Sequence, residues 1–180
     1  IVSFDTFRQI IKEPETCGNH GRFEFRETDK NSKLKKVEIM GFATESAVKF
    51  SFDGKKELSP YLSHSGNYLK ACDAVVFAEI DDQNYLLFIE MKSELPDKDR
   101  ISKQVASSLC FMDYCDSIMK RFHKSDLIAK CKKRFVVFYK ALPMSKTTTQ
   151  YTQKTDQQHD CPDNPQFFLY NKPVRINRIL

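Results

Sequence analysis

ACDAVVFAEI (71–80) and NYLLFIEMK (84–92), parted by Asp81-Asp82-Gln83, decide how this chain is read. Both runs are rich in β-branched and aromatic residues, and the polar cluster between them has turn composition, so they read as the two strands of a hairpin. The second run is apolar on both faces through Tyr85, Leu86, Leu87, Phe88, Ile89 and Met91, which marks a central strand covered on each side. A turn centred between Asp82 and Gln83 sets Asp73 opposite Lys92, with Glu90 two residues back on the same face. Two carboxylates and an ammonium then converge at one end of adjacent strands. A slip of one residue would turn Asp73 to the other face.

Outward from the hairpin, the chain alternates both periodicities. SFDTFRQIIK (3–12) aligns Phe4, Phe7, Ile10 and Ile11 on a helical stripe, with Ser3 as N-cap and Pro14 as a stop. RFEFRE, LKKVEIMGF and SAVKFSF, between 22 and 53, read as strands, followed by loops or a short helix through DGKK and SPYLSHSGN. After Pro96, Ile101, Val105, Leu109, Met112, Met119 and Phe122 fall on one stripe of a helix of about five or six turns, with Ser108 and Cys115 filling it. RFVVFYKAL (134–142) is an apolar strand. The polar stretch 143–165 reads as a mobile loop, and QFFLYN and KPVRINRIL close the chain as one or two short strands. This order predicts one mixed α/β domain over 1–180, a central mixed sheet flanked by helices, with its core near 60–142.

Composition excludes several classes. The 180 residues include 15 Phe and no Trp, with 41% hydrophobic residues, which supports a packed core and argues against disorder. Only five glycines occur and none follows Gly66, so neither a P-loop nor a dinucleotide fingerprint is present. No apolar run approaches the ~20 residues of a membrane span, and IVSFDTFRQIIKE is not a signal peptide. A first residue other than Met reads as a processed or excised piece. Four of the six cysteines lie in apolar runs, where a thiol behaves as a small buried hydrophobe, so the expected compartment is reducing and cytosolic.

Asp73, Glu90 and Lys92 carry the chemistry. Unpaired burial of charge is costly, so a strand end holding all three is either a structural ion pair or a site. As a site, the two acids and the Met91 backbone carbonyl form a hard oxygen set suited to Mg²⁺ or Mn²⁺. Lys92 would orient the attacking water and stabilise charge on a phosphate. Asp73, then Glu90-Met91-Lys92, then a long helix and an apolar strand, is similar to the PD-(D/E)xK phosphodiesterase superfamily of restriction-endonuclease-like nucleases. That resemblance implies metal binding by Asp73 and Glu90 and positioning of water by Lys92. It also implies a place near the site for Gln104, one turn into the helix. The residue before Asp73 is Cys72, where the family's name-giving motif has Pro. The family frequently adds an acid on or near its first helix; Glu45 and Glu13 are the candidates here, Glu45 the chosen one.

Charge distribution points to a polyanion. Lys120, Arg121, Lys124, Lys130, Lys132, Lys133, Arg134 and Lys140 face Asp126 alone between 120 and 140, while the whole chain carries only +5. Lys172, Arg175 and Arg178 follow. A localised basic surface is the footprint of phosphate binding; the helix dipole accounts for a few such residues, not eight. The expected partner is therefore nucleic acid, DNA ahead of RNA, with no membrane and with the chain acting as a homodimer or as part of a larger protein. Cys17 with His20, and His159 with Cys161, have the donor types for zinc, though no spacing brings the pairs together. His64 precedes the Asp73 strand and could approach the site. No nucleophile elbow or H-E-x-x-H helix competes with these residues. The alternatives from other classes are a non-catalytic nucleic-acid-binding module and a protein-interaction domain whose acids and lysine merely pair.

Overall fold

A computed structural model describes residues 4–18, 20–52, 69–140 and 159–180. Its centre is the hairpin β5 (Ala74–Ile80) and β6 (Gln83–Lys92). The pairs run from Ile80 opposite Gln83 to Ala74 opposite Ile89, so Asp73 falls across from Glu90 rather than Lys92. The expected register was two residues off, and a shift of two preserves the face. The cause is the turn. Asp81 and Asp82 both hold positive φ, 50° and 58°, which gives a two-residue connection of type I′ whose twist matches the strands, and Gln83 already belongs to β6.

Around this hairpin lies a six-stranded mixed sheet in the order β1-β4-β5-β6-β7-β8, with β1 at Glu15–Thr16, β4 at Ala47–Ser51, β7 at Lys132–Tyr139 and β8 at Gln166–Leu169. The β1 to β6 neighbours are antiparallel and β6, β7 and β8 are parallel. A parallel β6–β7 pair needs a crossover, and α2 (Lys98–His123) supplies it. β2 (Arg22–Arg26), β3 (Lys36–Met40) and β9 (Val174–Arg175) form a separate three-stranded sheet.

The layers follow from alternation along β5 and β6. Val75, Phe77, Leu86 and Phe88 pack on one face with Phe7 of α1 (Phe4–Ile10) and with Ile101, Val105, Met112 and Met119 of α2. Ala74, Val76, Leu87 and Ile89 pack on the other face with Phe23, Phe25, Val37 and Ile39 of the small sheet. Among the described residues, both α-helices lie on the same face of the large sheet. A second sheet closes the other face because β2 and β3 alternate, with one apolar side each, and need a partner layer.

Local signals explain the remaining boundaries. α2 starts at Lys98 because the Asp97 side chain accepts a hydrogen bond from the Arg100 N–H at 2.9 Å. It ends at a left-handed Lys124, whose N–H reaches the Met119 carbonyl. Its 26 residues exceed the expected length, and Phe122 is exposed, that end of the core being filled by Ile128 and Cys131. The chain end gives the two short strands β8 and β9, the latter of two residues, followed by a 3-10 turn at Ile176–Arg178. The loops expected over DGKK and SPYLSHSGN, Ser3, His64 and most of the 143–165 stretch lie outside the described residues. All six cysteines are free, and no helix among the described residues is long and apolar enough to cross a membrane.

The turn assignment is testable. Replacing Asp81-Asp82 by Asn-Gly relieves side chains held at positive φ and should raise the unfolding free energy in urea by about 0.5–1 kcal/mol. A loss of stability would contradict a type I′ turn and the register it sets.

Candidate active site

Glu90 is 0% exposed, an unusual position for a carboxylate. It lies one residue beyond the last β5–β6 pair, on the face covered by α2. Gln104 reaches it from the second turn of α2, donating to Glu90 Oε2 at 3.1 Å and to the Ala71 carbonyl at 2.7 Å. One side-chain amide thus ties the helix, the acid and the entry to β5 together. Glu90 Oε1 meets the Lys92 ammonium as an ion pair, yet receives no hydrogen bond that satisfies distance and angle together.

Asp73 stands opposite on the neighbouring chain segment. Its Oδ2 accepts the Met91 N–H at 2.6 Å, and its backbone carbonyl accepts the Phe52 N–H at 2.9 Å. In an extended strand the N–H and C=O of one residue point to the same neighbour, so the Met91 carbonyl is directed to the Asp73 side, past the end of the ladder. Asp73, Glu90, Lys92 and the Met91 main chain are therefore brought together, as is Gln104.

Electrostatics make the site tense. Burial first and the nearby Asp73 charge second push the Glu90 carboxyl up to about 8. Lys92 and a backbone hydrogen bond from Asp73 oppose the rise without overcoming it. Protonated and ionised Glu90 are therefore both accessible near neutral pH, the ionised form being the one paired with Lys92, and a second positive charge near Asp73 would favour that ionised form. The donor chemistry fits a hard divalent cation: two carboxylates, one of them facing only the Lys92 ammonium through its Oε1, and a backbone carbonyl. Among the described residues no group of three or more His, Cys, Asp or Glu side chains gathers to hold a metal, so the set stops at two acids.

The chosen third acid is not brought to the site. Glu45 is exposed before β4 with φ 73°, beside the far end of the hairpin, where the Glu79 N–H bonds the Ser46 carbonyl. Glu13 is exposed after α1, its carboxylate 3.9 Å from Lys12. The zinc donors are also apart. Cys17 follows β1 at one edge of the large sheet, whereas the His159 carbonyl bonds the Phe135 N–H near the opposite edge. Cys17 is buried and its thiol is pushed up by that burial, which suits packing rather than ligation.

Two serines complete the support. Ser108, fully buried on α2, accepts the Cys72 N–H at 2.7 Å and so fixes the residue before Asp73. Ser93, next to Lys92, accepts the Lys33 N–H at 2.8 Å and lies 3.0 Å from Ser32 Oγ, anchoring the β2–β3 connection beside the site. The sequence signal for Ser108 was a polar residue inside an apolar helical stripe; Ser93 carried none.

The basic cluster lies elsewhere. β6 and β7 are parallel, with Lys132 beside Tyr85 and Arg134 beside Leu87, so these two stand five and three residues from Glu90, about 17 and 10 Å of strand. Part of it has internal partners. Lys120 pairs with Asp116 at 2.6 Å and Lys130 with Asp126 at 2.8 Å, while Lys124 donates to the Arg121 carbonyl. Lys132 and Arg134 lie 6.0 and 5.8 Å from the Tyr85 ring centroid. Lys132, Lys133 and Arg134 still line a cavity of about 340 Å³ with Asp160. Lys140 alone of the group sits at the acid end, its ammonium 3.5 Å from the Lys33 carbonyl. Neither a family model, nor a curated protein, nor a solved structure matches the chain.

The Glu90 proton has a consequence for stability. Its folded carboxyl titrates near 8 and its unfolded one near the ordinary 4.5, so the native state keeps a proton that the unfolded state loses between those values. Stability should fall as pH rises through this window, by up to about 1.4 kcal/mol per pH unit, and level off above 8. Glu90→Gln should lose that component of the slope in urea titrations at pH 5 to 8.5. An identical slope in both proteins would mean that Glu90 is ionised throughout.

Proposed function

We propose that this chain is a metal-dependent nuclease, an endonuclease that hydrolyses phosphodiester bonds in nucleic acid, DNA ahead of RNA. The observation that carries the reading is a fully buried acid held at high pKa, facing a second acid, with a lysine alongside. Such tension is retained more readily for function than for stability. The order of hairpin, long helix and parallel strand supports a restriction-endonuclease-like core. A Mg²⁺ or Mn²⁺ ion held by Asp73, Glu90 and the Met91 carbonyl would polarise a phosphoryl oxygen and acidify water.

The chain's own groups have distinct tasks. Asp73 is aimed by the Met91 N–H, and Glu90 by Gln104, so neither acid has to find its position when substrate arrives. Lys92 pairs with Glu90, and a metal ion held by that carboxylate would leave the lysine free to act. Its ammonium then holds the attacking water and offsets charge developing on the phosphate. The basic surface at the far end supports the anchoring of a longer strand.

A second reading is a non-catalytic nucleic-acid-binding or protein-interaction module on the same framework. The closed Glu90–Lys92 ion pair and the lack of a third acid among the described residues favour it. Substitution separates the two. Lys92→Ala should retain Mn²⁺ affinity and lose cleavage by about a hundredfold or more, whereas Asp73→Ala should lose both. If Lys92→Ala unfolds and the parent protein cuts neither DNA nor RNA with Mn²⁺, the trio is a structural pair and the nuclease reading is wrong.

The anchoring role has its own measure. Changing Lys130, Lys132 and Lys133 together to Ala should weaken binding to all sequences alike. Each phosphate that the variant no longer neutralises should flatten the slope of log K against log salt by about 0.7 to 0.9. An unchanged slope would make this face a solvated one.

A further inference from the structure

Residues 27–35 join β2 to β3, and they run beside the acids. Thr28 lines a cavity of about 440 Å³ together with Asp73, Ala74 and Met91. Farther along, the Ser93 hydroxyl, one residue past Lys92, accepts the Lys33 N–H at 2.8 Å and lies 3.0 Å from Ser32 Oγ. The Lys140 ammonium adds a contact at 3.5 Å to the Lys33 carbonyl. Leu34, 4% exposed, packs into the core between the sheets. The connection is therefore fixed to the end of β6 that carries the site.

Its own chemistry is one-sided. The two acids are turned into the loop: the Glu27 carboxylate accepts the Asp29 N–H at 3.0 Å, and the Asp29 carboxylate accepts the Asn31 N–H at 2.9 Å. Such bonds satisfy the backbone locally and stiffen the turn. Lys35 is turned inward as well, its ammonium donating to the Asp29 and Lys30 carbonyls at 2.9 and 2.7 Å. Lys30 and Lys33 differ from these. Both are exposed, and among the described residues neither ammonium has an acceptor. A stiff loop that spends its carboxylates on its own N–H groups leaves two ammonium groups for an anionic partner, and it stands next to Lys92.

We propose that this connection is a phosphate clamp, in which Lys30 and Lys33 hold phosphates that flank the bond being cut. The inference rests on the nuclease reading for the reaction, and on the anchoring and charge of the loop for the contact. Successive phosphates on a strand are one nucleotide apart, so cations a few residues from Lys92 meet the neighbours of the phosphate at the acids. Lysine presents a point charge on a flexible stem and takes phosphate without reading a base edge. The clamp thus sets the position of the strand and carries no sequence preference.

A short DNA duplex of mixed sequence is the probe, titrated into the full chain without metal so that nothing is cut. Lys30→Ala combined with Lys33→Ala should weaken binding about tenfold at low salt, and should flatten the slope of log K against log salt by about 0.9 for each of the two phosphates released. Lys30→Arg with Lys33→Arg keeps both charges and should bind as the parent does. Backbone amide shifts on adding the duplex should include Asn31, Lys33 and Ser93. Mn²⁺ should bind the alanine variant as it binds the parent. No saturable binding by the parent protein, an unchanged affinity and slope in the alanine variant, or shifts confined to the start of β7 would overturn the proposal. Binding that depends on Lys30 and Lys33 in a parent protein that cuts no nucleic acid with Mn²⁺ would remove the nuclease reading and leave the clamp standing as a nucleic-acid-binding site.

Discussion

Burying Glu90 sets terms that its surroundings have to meet. A carboxylate with no exposure needs its lone pairs engaged, and α2 is the element that engages them, because Gln104 projects from its second turn. The same helix holds the Cys72 N–H through Ser108, so the approach to β5 and the end of β6 are referred to one rigid support. α2 in turn has to cross from the end of β6 to the start of β7, which makes those strands parallel and places its apolar stripe over Phe88 and Phe135. A polar contact at one strand end thus shares its scaffold with the largest part of the core.

Much of this was legible in residues. Continuous apolar runs marked β5, β6 and β7, and a single stripe marked α2. The convergence of Asp73, Glu90 and Lys92 followed from strand periodicity and survived a register error because the error was even. What could not be read was the partner layer. The alternation of β2 and β3 shows one apolar face each, but a face does not declare whether it packs on a helix or on a sheet. The Asp-Asp turn was misplaced by one residue because Gln83 is polar, and polarity does not separate a turn position from the first residue of a strand. Glu45 failed for a plainer reason: sequence distance from a motif carries no information about which end of a strand a residue occupies.

The separation of charge is the feature that changes the picture most. The basic cluster was visible as composition, and composition has no direction along a sheet. Parallel pairing of β6 with β7 puts the start of β7 at the opposite end from Lys92. Of that cluster Lys140 reaches the acid end, where its ammonium meets the Lys33 carbonyl on a loop anchored through Ser93.

The account turns on whether Glu90 exchanges a proton for a metal ion. Calorimetric titration with Mn²⁺ at pH 7, repeated in two buffers of different ionisation enthalpy, measures that exchange directly. A carboxyl near 8 predicts release of close to one proton for each Mn²⁺ bound, and its disappearance in Glu90→Gln. No binding heat, or binding with no proton released in the parent protein, would contradict it.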